Sequence, residues 1–106
     1  SLRARNLIRE GNKAYLSILS LWEIAIKINI GKLRLKYDLK DYAISWQKIE
    51  GSILTLNQPH ILQYQALPLH HRDPFDRMLI AQAMTDGLAL ISKDRNFSLY
   101  DVDVVW

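Results

Sequence analysis

The chain of 106 residues contains no cysteine, which excludes disulfides, thiolate nucleophiles and cysteine-based zinc sites. That absence fits a reducing compartment, so a cytoplasmic protein is expected. No apolar run approaches the ~20 residues of a membrane span, because Glu23, Lys27 and Lys32 interrupt the most hydrophobic stretch. The opening residues show no signal-peptide pattern. With 49% hydrophobic and 24% charged residues, the composition excludes intrinsic disorder, collagen and low-complexity sequence. There is no internal repeat and no linker, and residues 1–106 are expected to form a single domain.

Charge is unevenly placed. The net charge is +3, but residues 1–40 hold nine Lys and Arg against three Asp and Glu, while residues 41–106 hold five against eight. A basic part beside an acidic part suits attraction of a polyanion together with an acidic pocket for a cation. A solvated basic helix face and an acidic loop face would give the same count.

Periodicity and punctuation predict alternating helices and strands. A short amphipathic helix over 1–9 ends near Gly11, and β-branched and aromatic residues suggest a strand over 14–19. Ser20 is expected to open a well-buried helix that stops at Gly31. A helix over 38–50 places Tyr42, Ile44, Trp46 and Ile49 inward and closes at Gly51, before a strand over 52–56. Pro59 starts a helix ended by Pro68, and Asp73-Pro74 starts another that runs through Met84 and closes at Gly87. A buried strand over 88–92, a turn over 93–100 and a last strand over 102–106 complete the chain. This order implies an α/β fold, a parallel sheet flanked by helices.

Ligands gather outside the carboxyl ends of such strands, and that rule sorts the acids. Glu23 follows the first strand, Asp94 follows the strand over 88–92, and Asp73 and Asp76 open the crossover helix that feeds it. All four are expected on one rim, with Asp86, Asp101 and Asp103 on the opposite edge. Each rim acid also has a structural reading. Ser20 to Glu23 fits a capping box, Glu23 and Lys27 form an i, i+4 pair, Asp73 is a helix cap, and Asp94 caps the following turn. Crowded carboxylates persist where a divalent cation offsets their repulsion. An oxygen-rich set without cysteine or paired histidines selects Mg²⁺ or Mn²⁺ over zinc. His70 and His71 precede the Asp73 helix as loop residues or phosphate contacts, His60 is expected at the surface or core edge, and the three tryptophans read as packing residues.

Three motifs in order carry a resemblance. Tyr15-Leu16-Ser17 with Ser20-Leu21-Trp22-Glu23-Ile24-Ala25-Ile26-Lys27 and Gly31-Lys32-Leu33 is the first. Leu67 to Arg77, with Asp73-Pro74-Phe75-Asp76 at its centre, is the second, and Leu90-Ile91-Ser92-Lys93-Asp94 is the third. Together they resemble PIN-domain nucleases of the VapC-like toxin group over nearly the whole chain. The resemblance implies a metal-dependent endoribonuclease, the toxin of a toxin–antitoxin pair, commonly a homodimer. It implies Glu23, Asp76 and Asp94 as Mg²⁺ ligands, Asp73 as ligand or cap, and Arg72, Arg77, Lys93 or Arg95 as RNA phosphate contacts. The family opens with a central strand bearing a first Asp, and this chain shows no such segment before Ser1, so about one βα unit of roughly 30 residues is expected to be missing. Beside the nuclease stands a catalytically silent module that dimerises or engages an antitoxin or RNA. An unrelated doubly wound domain is the third reading.

Overall fold

The computed structural model describes residues 2–11, 13–48, 52–70 and 73–106. Ile49, Gly51, His71 and Arg72, to which the sequence assigns roles, lie outside the described residues, as does the side chain of Arg95. The elements are α1 (Leu2–Arg9), β1 (Tyr15–Ser17), α2 (Ile18–Asn29), α3 (Leu39–Lys48), β2 (Ser52–Leu54), α4 (Gln58–Ala66), α5 (Pro74–Asp86), β3 (Leu90–Ile91), a 3₁₀ turn (Arg95–Leu99) and β4 (Val104–Val105). They fall into two units, Lys13–Thr55 and a larger one made of Ser1–Asn12 with Leu56–Trp106. Each unit holds one parallel strand pair among the described residues. Tyr15, Leu16 and Ser17 stand opposite Ser52, Ile53 and Leu54, and Leu90 and Ile91 stand opposite Val104 and Val105. Parallel neighbours require a crossover, supplied by α2 and α3 in the first unit and by the 3₁₀ turn in the second.

In the Lys13–Thr55 unit the first strand ends sooner than its composition suggests. Ser17 has extended backbone (φ −67°, ψ 137°), and its Oγ accepts the Leu19 N–H at 3.1 Å, so α2 begins at Ile18. The expected capping box from Ser20 to Glu23 therefore does not form at a helix start, and Glu23 lies in the second turn. At the other end Gly31 adopts φ +74°, with Gly31 N–H on the Ile28 carbonyl at 3.1 Å and Lys32 N–H on Lys27 at 2.9 Å. This is a Schellman closure, which needs a left-handed residue. Nothing lies within 4 Å of a Cβ placed on Gly31, so Gly31→Ala is expected to cost about 1 kcal/mol from backbone conformation alone. Thermal unfolding of the variant, some 4–8 °C lower, checks this.

Burial in this unit departs from expectation. Leu19 is the buried residue of α2, α3 has none, and Trp22, Tyr42 and Ile44 are exposed. Two strands of three residues cannot cover every apolar face of two helices. Trp46 does pack, its indole N–H donating to the Ser52 carbonyl at 3.0 Å and tying α3 to β2.

The larger unit holds the main core. Leu67, Ile80, Ala81, Phe97 and Tyr100 are buried together, with Tyr64, Met78, Met84, Leu90, Val102 and Val104 packed around them. α5 closes on Gly87 in the left-handed region (φ 66°, ψ 36°), two residues later than Met84 but at the expected stop. Of the two expected positions for His60, surface or core edge, the surface is excluded, since the residue is 1% exposed. Its Nδ1 accepts the Asn57 N–H at 3.0 Å and its Nε2 meets Asp86 at 2.9 Å, so partners satisfy both ring nitrogens. Trp106 is exposed rather than packed. Among the described residues no helix is long and apolar enough to cross a membrane.

Candidate functional site

Asp73 and Asp76 stand where α5 begins, and Asp94 follows β3. Asp73 Oδ1 accepts the N–H groups of Phe75 at 2.8 Å and Asp76 at 3.3 Å, and Pro74 occupies the first helical position. The cap satisfies amides that have no partner inside the helix, and Asp76, in the first turn, faces the positive end of the helix dipole. Asp94 follows β3 and caps the 3₁₀ turn, its Oδ1 accepting Asn96 N–H at 2.9 Å while its own N–H donates to Ser92 Oγ at 3.0 Å.

Tyr100 joins the two segments. Its hydroxyl accepts the His70 N–H at 3.1 Å, and the two rings meet edge to face at 5.1 Å. The loop entering Asp73 is thereby held to the segment that leaves Asp94. Asp86 sits at the far end of α5, a helix about 19 Å long, and Asp103 stands at the amino end of β4, where its carbonyl accepts Leu90 N–H at 2.8 Å. Glu23 belongs to the Lys13–Thr55 unit, on α2, with a carboxylate oxygen 3.9 Å from Lys27 Nζ.

Arg77 differs from its expected role. It is buried, Nη1 donates to the Pro68 carbonyl at 3.0 Å and Nη2 to the Tyr64 carbonyl at 3.2 Å, and the guanidinium lies 4.8 Å from the Tyr64 ring centroid. A buried planar fork engaged by two carbonyls and a ring clamps the corner between α4 and α5 and does not meet phosphate. Its helical register gave no hint of this, because the carbonyls it meets belong to another element. Lys93 is exposed beside Asp94 and keeps its reading as a phosphate contact.

The donor type suits a hard cation. The Asp94 carboxylate has about four lone-pair sites, more than its amide contact uses, so capping and metal ligation are compatible there. Within the larger unit, among the described residues, no three His, Asp or Glu side chains form a group that could hold a metal ion.

Helices on short parallel strand pairs, with carboxylates past a strand's carboxyl end, define a mixed α/β domain with an acidic rim. The PIN domain family model matches residues 1–103, and the chain belongs to that family. PIN domains are generally nucleases, often found in toxin–antitoxin systems, and typically bind divalent metals. No curated protein and no solved structure matches the chain.

Proposed function

We propose that the chain is a metal-dependent endoribonuclease, the toxin of a toxin–antitoxin pair, working as a homodimer restrained by its antitoxin. The observation that carries this reading is the PIN match over residues 1–103, with Asp76 and Asp94 standing where α5 begins and β3 ends. Asp76 and Asp94 are the ligands for Mg²⁺ or Mn²⁺, with Asp73 as cap and auxiliary ligand, and the family motif assigns Glu23 a metal-binding role as well. When bound, such a cation supplies charge neutralisation at the phosphodiester and acidifies water. The chain's own part is to hold the carboxylates: the Asp73 cap fixes the first turn that carries Asp76, and the Ser92 and Asn96 bonds fix Asp94. Lys93, Arg72 and Arg95 meet the RNA phosphate.

Purified chain incubated with single-stranded RNA is expected to cleave it with Mg²⁺ or Mn²⁺ and not with EDTA. Glu23→Gln and Asp94→Asn are expected to lower the rate by about 100-fold or more. Equal cleavage by both variants and the parent chain would overturn the assignment. A second reading is favoured by the capping duty of Asp73 and Asp94 and by the lack of a three-residue metal group in the larger unit among the described residues. It is a silent PIN module that binds antitoxin or RNA without cutting, and it predicts no cleavage under any metal.

A further inference from the structure

The Lys13–Thr55 unit carries a groove of about 600 Å³ between the end of α2, residues 31–38 and the start of α3. Its walls include Ala25, Ile28, Leu33, Leu35 and Leu39, with Arg34 and Asp38 as the charged residues of the lining. Exposure alternates along residues 32–36, with Leu33 and Leu35 half-buried and Lys32, Arg34 and Lys36 exposed. Residues 27–42 hold five Lys and Arg against Asp38 and Asp41. Tyr37 lines the groove and is 59% exposed, with Lys36 Nζ 5.5 Å from its ring centroid and the Tyr42 ring tilted against it at 6.1 Å.

We propose that this groove is a docking site for single-stranded RNA, with Lys32, Arg34, Lys36 and Lys40 meeting phosphates and Tyr37 stacking a base. The partner's chemistry follows from the residues. Arg34 in the wall and the exposed Lys32, Lys36 and Lys40 close to it in the chain outnumber Asp38 and Asp41 and attract a polyanion, and the exposed Tyr37 ring offers a base a surface to stack on. Asn29, also in the wall, presents amide donors and an acceptor to a base edge. A purely apolar peptide would use the aliphatic wall and leave the cations unmatched. The choice of RNA rests on the nuclease reading, but the docking does not need the acids.

The test reads binding of a fluorescein-labelled U12 RNA by anisotropy, in EDTA, so that cleavage plays no part. Lys32→Gln/Arg34→Gln/Lys36→Gln is expected to weaken binding by about 10-fold or more and to lower the salt slope by about 2. Tyr37→Ala is expected to weaken binding by about 10-fold with the slope unchanged, while Tyr37→Trp retains it. Arg3→Gln/Arg5→Gln/Lys48→Gln makes the same charge change at exposed positions elsewhere and is expected to have under a third of the effect. Circular dichroism confirms that each variant keeps its helices, and Lys32→Arg/Lys36→Arg should bind like the parent. Equal loss in the control triple, or unchanged binding in the groove variants, would overturn the proposal. So would tighter binding of dT12 DNA, or of an acidic amphipathic helix that needs the same residues while RNA does not bind. A chain that binds in this way but never cleaves retains the groove and loses only the nuclease reading.

Discussion

Replacing Arg77 by alanine is expected to destabilise the protein by about 3 kcal/mol, which lowers Tm by roughly 12–20 °C. Two hydrogen bonds from a charged donor contribute about 1.5–3 kcal/mol each and the ring contact about 0.5–2 kcal/mol, offset by the cost of burying the guanidinium. The loss falls on the part-buried bonds to the Tyr64 and Pro68 carbonyls and on the packing of the buried guanidinium. Arg77→Lys should recover a third of the loss at most, because an ammonium cannot span both carbonyls as a planar fork does. Urea unfolding followed by circular dichroism measures both variants. A phosphate-binding arginine would give the reverse result, with normal stability and weakened RNA binding.

His60→Ala is expected to cost about 3 kcal/mol, combining the cavity left by a buried ring with the loss of two hydrogen bonds. Nδ1 accepts the Asn57 N–H, so the ring proton sits on Nε2 and is donated to Asp86. One side chain thus caps the start of α4 and fastens it to the end of α5. Asp86→Asn should cost only about 1 kcal/mol, because the amide oxygen still accepts the Nε2 proton and Asp86 is partly exposed. Calorimetry of the two single variants tests this order. If Asp86→Asn were as harmful as His60→Ala, the bond to Asp86 and not the cap at Asn57 would be the larger contribution.

Both predictions concern residues whose roles were hidden in the primary structure. Arg77 in the first turns of α5 and His60 in the first turn of α4 occupy ordinary helical positions, and no spacing rule says that a neighbouring element will close over them. Ser17 against Ser20 is a subtler case. Both are good caps, and the parallel pairing of β1 with β2 as far as Ser17 made the earlier one the start of α2. Glu23 consequently moved from the first turn to the second.

What was legible was local. Asp73-Pro74 before an apolar run, glycines at 31 and 87, and β-branched runs between them set the order of helices and strands, because caps and left-handed residues act within a few peptide units. The motifs that resemble the family put Asp73 and Asp76 at the start of α5 and Asp94 after β3, with Asp86 at the other end of α5. Burial was decided in three dimensions. Whether α2 is covered, whether Arg77 meets solvent or two carbonyls, and whether His60 faces water or Asp86 depend on residues distant in the chain, since desolvation is a property of the packed neighbourhood and not of the residue that experiences it.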